Sequence, residues 1–143
     1  FHQFFEQSDN LIYIDAGNES VKQPKGKIKE QWSSTEKEEY ERTGYTGQVV
    51  CGIRVKGKTI LAPVGHQFPN ILTDQDEIAP SELSCSELAA TDPQRLITNR
   101  YSMLGITTII NEILATGRIS THYMLFHAKR GYMRQFPIMM DIE

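Results

Sequence analysis

The sequence predicts an α/β chain, α+β within these residues: a mixed sheet with two β-hairpins packed on one long helix. Three observations lead there. Apolar runs of strand length flank Lys56-Gly57-Lys58 and Lys129-Arg130-Gly131, and each turn supplies the permissive glycine that a tight reversal needs. One long apolar segment runs from Asp92-Pro93 to Gly117, between a helix start and a helix stop. The length, 143 residues with 39% hydrophobic, suits one core and hardly two, so residues 1–143 read as a single domain.

The elements follow in order. Phe1, Phe4 and Phe5 lie at helical spacing before Ser8-Asp9-Asn10, which ends a short helix. Leu11-Ile12-Tyr13-Ile14 is too short and too continuous for an amphipathic helix and reads as a buried strand. Asp15-Ala16-Gly17-Asn18 closes it, either as a plain turn or as a loop at the carboxyl edge of an α/β sheet. Over residues 19–45 the composition shifts. Lys22, Lys25, Lys27 and Lys29 precede Glu36, Glu38, Glu39 and Glu41, with few apolar residues between. Such a stretch buries too little to offset its ordering entropy, and it is expected as a solvated, mobile insertion with a helical turn over Thr35–Arg42. A binding role for its opposed charges is the alternative.

Order resumes at Thr46. Gly47 to Val55 and Thr59 to Ala62 form the first expected hairpin, and Pro63 to Pro80 is loop-like. In the long helix, Leu96, Ile97, Tyr101, Leu104, Ile106, Ile109, Ile110, Ile113 and Leu114 cover more than one narrow stripe, predicting burial of much of its surface. Gly105 in its middle costs about 1 kcal/mol against alanine, so a close approach by a neighbouring element is expected there. Arg118, just past Gly117, suits that end of the helix dipole. Thr121 to Ala128 and Tyr132 to Ile138 make the second hairpin, and no internal repeat is visible.

Charge and motif content exclude several functions. With 15 Lys and Arg against 18 Asp and Glu the net charge is −3, which disfavours nucleic acid as a partner bound through phosphate neutralisation. No apolar run approaches the ~20 residues that span a bilayer, so no membrane partner is expected. Two cysteines cannot build a disulfide framework or a four-cysteine zinc site, and a reducing, cytoplasmic setting is the expectation. The numbering opens on Phe1 within structured sequence, which reads as a cut edge. The phosphate cradles GxGxxG and GxxxxGK[ST] are absent, as are HExxH, GxSxG and CxxC.

Among the histidines, His122 and His127 fall on one expected strand five positions apart, on opposite faces, and cannot share a metal. His66, in Pro63-Val64-Gly65-His66, could act as a base beside a suitable nucleophile. Cys51 sits mid-strand among valines and reads as a small packed hydrophobe. Cys85, in Ser81-Glu82-Leu83-Ser84-Cys85-Ser86-Glu87, lies between a loop and a helical segment. A helix N-terminus favours a thiolate there, while Glu82 and Glu87 oppose it.

The order of motifs carries more information than any one of them. Ile14-Asp15-Ala16-Gly17-Asn18 precedes Thr46-Gly47-Gln48-Val49-Val50, then Ser84-Cys85-Ser86, the helix from Asn99 to Gly117, and a hairpin finishing in Arg134-Gln135-Phe136-Pro137-Ile138. This series resembles the C-terminal half of the ThiF/HesA/MoeB family, the ubiquitin-activating-type adenylyltransferases of Rossmann-type fold. It is especially similar to the ThiF-like proteins of mobile-element and plasmid gene clusters, and it covers most of the chain outside residues 19–45. The resemblance implies a homodimeric enzyme that uses ATP and magnesium to adenylate the C-terminal carboxylate of a ubiquitin-like partner with a flexible tail. It also implies Cys85 as the catalytic nucleophile that receives the activated acyl group or sulfur. The family's glycine-rich loop, and its Asp, Arg and Lys for ATP and magnesium, belong to the N-terminal half. No ATP-contacting and no metal-binding residue is therefore assigned here. A non-catalytic interaction or scaffold module is the alternative function.

Overall fold

The computed structural model describes residues 1–73 and 93–138. In chain order the elements are α1 (His2–Gln7), β1 (Leu11–Asn18), α2 (Ser34–Arg42), β2 (Thr46–Val55), β3 (Lys58–Leu61), α3 (Val64–Gln67), α4 (Leu96–Thr116), β4 (Thr121–His127) and β5 (Tyr132–Pro137). Short 3-10 turns lie at Lys29–Gln31, Pro69–Thr73 and Ala128–Arg130. The strands form one sheet in the order β1-β2-β4-β5, with β3 on the same edge of β2 as β4 but at its far end.

Every strand pairing is antiparallel, which corrects the expected mixed sheet and makes the described fold α+β. The physical reason lies in α2. A parallel neighbour needs a crossover helix packed on a sheet face. The helix between β1 and β2 has no buried residue, so it cannot serve as one.

β2 is the centre of the molecule. Val49, Val50 and Cys51 are all fully buried, so both faces of the strand are covered. Alternation sends Val49, Cys51 and Ile53 to one face, where they meet Ile14 across the ladder and Ile109 of α4, with Met124 and Phe126 alongside. Val50 and Gly52 face the other way, toward α1 and α3. There a Cβ on Gly52 would lie 2.9 Å from Pro63 Cα and 3.0 Å from Phe5 Cε2, so a bare backbone lets Phe5 seat at zero exposure. Tyr13 packs near the Phe5 ring on this same face, and Tyr123 stacks on Phe136 at 4.3 Å.

Both hairpins form at the expected turns. Lys56 and Gly57 take φ of 50° and 74°, a mirror-image turn that matches strand twist. Gly117 caps α4 in the left-handed region at φ 66°. The start of α4 differs from expectation. Asp92 lies outside the described residues, and the helix begins at Leu96 with Arg95 as N-cap and no side-chain cap. Pro93 serves differently: its carbonyl accepts from the Val21 N–H at 2.9 Å.

Two further differences concern burial. Only Thr98, Ser102, Gly105 and Ile109 of α4 are buried, while Leu96, Met103, Leu104, Ile110 and Leu114 face outward, Leu114 at 81% exposure. A helix lying on one sheet face has one covered stripe, whatever its outer residues are. Conversely, the charged segment 19–45 folds onto the domain in part. Val21, Trp32 and Thr43 are buried, and Trp32 packs on Tyr40 at 5.1 Å. Its helix, α2, falls where a helical turn is expected and opens with a capping box: Ser33 Oγ accepts from Glu36 N–H, and Glu36 Oε2 accepts from Ser33 N–H.

Gly105 is the point where α4 touches β2. A Cβ there would sit 2.8 Å from Val49 Cγ2 and 3.5 Å from Met124 Sδ. Gly105→Val is expected to destabilise the domain by about 1–3 kcal/mol despite leaving the strands untouched. Urea unfolding should show a lowered midpoint at an unchanged slope.

Candidate functional site

The motifs carried by β1 and β2 meet at one end of the sheet. Gly17 pairs with Gln48 and Asn18 with Gly47, so the Asp-Ala-Gly-Asn and Thr-Gly-Gln stretches lie side by side. Both glycines are needed for this approach. The Gln48 carboxamide lies over Gly17, and a Cβ on Gly47 would come within 2.7 Å of the Gly17 carbonyl and 2.8 Å of Asn18 Oδ1.

Asn18 points to the α4 side and staples the strand end to the helix. Its Nδ2 donates to Asn99 Oδ1 at 2.9 Å and reaches Gln94 Oε1 at 3.5 Å. Its Oδ1 accepts from Ser102 Oγ. Asn99 and Ser102 are three apart on α4 and share a face, which is why one carboxamide can engage both. Four amide or hydroxyl side chains therefore converge on the α4 side of the sheet, Asn18, Gln94, Asn99 and Ser102, while Gln48 lies over Gly17 on the opposite face.

The chain entering β2 is held by the start of α4. Thr98 Oγ1 donates to the Gly44 carbonyl at 2.6 Å, and Arg95 Nε donates to the Thr43 carbonyl at 2.9 Å. Arg95 Nη2 also bonds the Tyr40 carbonyl, and the guanidinium lies over the Tyr40 and Tyr45 rings. Glu19, next to Asn18, accepts from Tyr45 N–H, Thr46 N–H and Thr46 Oγ1 at 3.0–3.3 Å. Burial pushes its carboxyl upward, but the hydrogen bonds from Thr46, Tyr45 and Gly44 outweigh that and hold it below the usual value.

This end of the sheet combines amide and hydroxyl groups with the Glu19 carboxylate and the Arg95 guanidinium, the latter two engaged with backbone groups. Among its described residues no nucleophile sits beside a general base. Cys85 lies outside the described residues. Cys51 is fully buried and its thiol is pushed up to about 11 by desolvation, the state of a packed, unreactive cysteine. His122 bonds the Ala62 carbonyl through Nε2 at 2.9 Å, and His127 stacks on Tyr45 at the other end of β4. Among the described residues His66 lies beside no cysteine or serine nucleophile; it faces Glu6 and His2. His2, Glu6 and His66 are the metal-capable group among the described residues.

Two relations escaped the sequence reading. Asn18 and Asn99 are far apart in the chain, although the Asn99/Ser102 spacing on a helix was visible. His2 and Glu6 are four apart on an expected helix, a spacing that puts both on one face. A cleft of about 900 Å³ between Glu112, Arg118 and Ile138 lies at the opposite end of α4 from the Asn18 staple.

Glu19 makes the site's acid dependence predictable. Its folded carboxyl binds a proton less readily than the unfolded one, so its contribution to stability is complete above the ordinary value of 4.5 and is lost as pH falls through the lower folded value. Glu19→Gln keeps the shape and removes the titration. Thermal melts are expected to show a shallower loss of stability for the variant across that acidic window, with lower stability than wild type at neutral pH. Comparison with family models, with curated proteins and with solved structures finds no match for this chain.

Proposed function

We propose that this chain is the C-terminal, partner-recognising part of a ThiF-like enzyme that activates the C-terminal carboxylate of a ubiquitin-like protein. The observation that supports this most is the meeting of the motif residues at one sheet end, where Asn18 bonds Asn99 and Gln48 lies over Gly17. Residues that are remote in sequence, Asn18, Gln94 and Asn99, form a polar surface on the α4 side of this sheet end, and carboxamides pair well with peptide N–H and C=O groups. In this reading that surface guides the partner's flexible tail. Pro93 and Gln94, eight and nine residues after Cys85 in the sequence, lie near it, Pro93 bonded to Val21 and Gln94 to Asn18.

ATP and magnesium belong to the missing nucleotide half in this reading. Magnesium prefers oxygen ligands, and the metal-capable group among the described residues, His2, Glu6 and His66, has two nitrogens to one carboxylate. Nothing in this set fits magnesium–ATP. Cys85 is the proposed acceptor: its thiolate attacks the acyl-adenylate carbonyl, a thioester forms and AMP leaves. The Rossmann-type assignment and the cytoplasmic setting are parts of the same proposal. No helix among the described residues is long and apolar enough to cross a membrane.

ATP–pyrophosphate exchange on the full-length protein tests the reading. Exchange is expected only when a ubiquitin-like partner with an intact C-terminal tail is present. Cys85→Ala should retain exchange while mass spectrometry shows loss of the thioester. Absence of exchange with every such partner would contradict the enzyme reading.

The outward face of α4 favours association and supports two readings. Leu96, Met103, Leu104, Ile110 and Leu114 present an apolar stripe to solvent. It suits the homodimer of the leading proposal and equally a non-catalytic scaffold module. A Leu104→Glu, Leu114→Glu double variant is expected to shift the full-length protein toward monomer in light scattering. Loss of activity together with dimerisation favours the enzyme reading, whereas a dimer without exchange activity favours the scaffold.

A further inference from the structure

The opposite end of β2 holds a second group of chemically capable side chains. α1 packs on the sheet through Phe5, and its His2 and Glu6, four residues apart, project from one face of the helix. α3 follows Pro63, whose carbonyl accepts from the His66 and Gln67 N–H groups and so sets the turn that carries His66. The two helices approach closely because two positions lack a Cβ. Gly52 admits Phe5 and Pro63, as described above. A Cβ on Gly65 would lie 2.7 Å from His2 Nδ1 and 3.0 Å from Leu72 Cδ2.

The result is a compact ligand set. One donor atom from each of His2, Glu6 and His66 lies within 4.8 Å of the others. The two imidazole rings meet edge to face at 5.1 Å, and His66 Nε2 stands 3.5 Å from Glu6 Oε1. Two atoms of this set, His2 Nδ1 and Glu6 Oε1, are buried and make no hydrogen bond. Buried polar atoms without a partner are uncommon and call for a reason. Here two of them belong to one cluster of potential ligands.

The carboxylate is held as metal-binding carboxylates are. Arg54, 11% exposed at its side chain, donates from Nη1 to Glu6 Oε2 at 3.1 Å. The same guanidinium donates from Nε to the Ser8 carbonyl and from Nη1 to Thr59 Oγ1, each at 2.9 Å, and from Nη2 to the Gly57 carbonyl. It thus fixes one carboxylate oxygen and leaves Oε1 turned to the histidines. Outer partners of this kind orient ligands and tune affinity.

We propose that His2, Glu6 and His66 bind a borderline divalent transition metal, with Zn2+ as the cation the ligand chemistry fits best. Two imidazole nitrogens and one carboxylate oxygen are a zinc donor set, and neutral imidazole disfavours calcium and magnesium. Ligands at 2.0–2.1 Å from zinc stand about 3.3 Å apart in a tetrahedron, so the rings close inward by rotamer adjustment on binding. His66, with 47% of its side chain exposed, lies on the solvent side and leaves a fourth position for water. The ion ties α1 to α3 across β2. This site is independent of the acyl chemistry proposed above, since it sits at the other end of the strand and uses none of its residues.

Zinc titration of the full-length, metal-free protein tests the proposal, with calorimetry and thermal melting as paired readouts. Wild type is expected to bind one equivalent that His66→Ala, His2→Ala and Glu6→Gln each weaken at least about 10- to 100-fold, the range for loss of even an outer partner. His122→Ala, a histidine at another place, should leave that equivalent unchanged. Zinc should raise the wild-type melting temperature and leave that of His66→Ala unmoved, while the metal-free melting temperatures of the two agree. No saturable zinc binding, or binding that persists unchanged in His66→Ala, would overturn the proposal.

Discussion

The double-sided burial of β2 is the constraint on which the rest of the structure depends. A strand covered on both faces needs a helix on each side, and neither can come close over ordinary side chains. Gly105 brings α4 down onto Val49, and Gly52 opens the opposite face to Phe5 and Pro63. With those contacts made, the edges of β2 remain available. β1 takes one along its whole length, while β4 and β3 divide the other between them. The two ends of β2 then become the two places where side chains from distant segments gather.

Those two places have different chemistry for a physical reason. At the Thr46–Gln48 end the neighbours are the close of β1 and the first turns of α4, where glycines, carboxamides and hydroxyls replace apolar residues. Backbone groups leaving the ladder there need partners, and Thr98, Arg95 and Glu19 supply them. The outcome is a polar surface on the α4 side of this sheet end. At the Gly52–Arg54 end, a largely enclosed guanidinium needs an anion and carbonyls around it. Glu6, Ser8 and Gly57 answer that need, and the two histidines complete the cluster.

Local order was legible in the sequence wherever one residue type forces one conformation. Gly57, Gly117 and Gly131 mark turns and a helix end that only a permissive backbone makes cheaply. Gly105 announced a close approach, and Val49 supplies it. Strand direction was legible within the two hairpins, where a tight turn makes the pair antiparallel, but not for β1 on β2 or β2 on β4, which no tight turn joins. The outer face of α4 was misjudged for a related reason: the spacing of Leu96, Leu104 and Leu114 reports helix, and says nothing about what covers them. Trp32 shows the limit of composition. One aromatic ring, seated on Tyr40 and bonded from Nε1 to the Lys27 carbonyl at 3.3 Å, anchors a segment whose average reads as coil. The pairs Asn18 with Asn99 and His2 with His66 exist only through the fold, since no local pattern links residues so far apart.

In the proposed function the Asn18–Gln94–Asn99 surface receives a partner's tail. Photo-crosslinking from Gln94, an exposed residue of that surface, tests it most directly in the full-length protein with ATP and a ubiquitin-like partner. A crosslinker placed there should attach to the last residues of the partner's C-terminal tail, and the yield should fall when the tail is deleted. Crosslinks that fall on the partner's folded body alone, at a yield indifferent to the tail, would contradict the account.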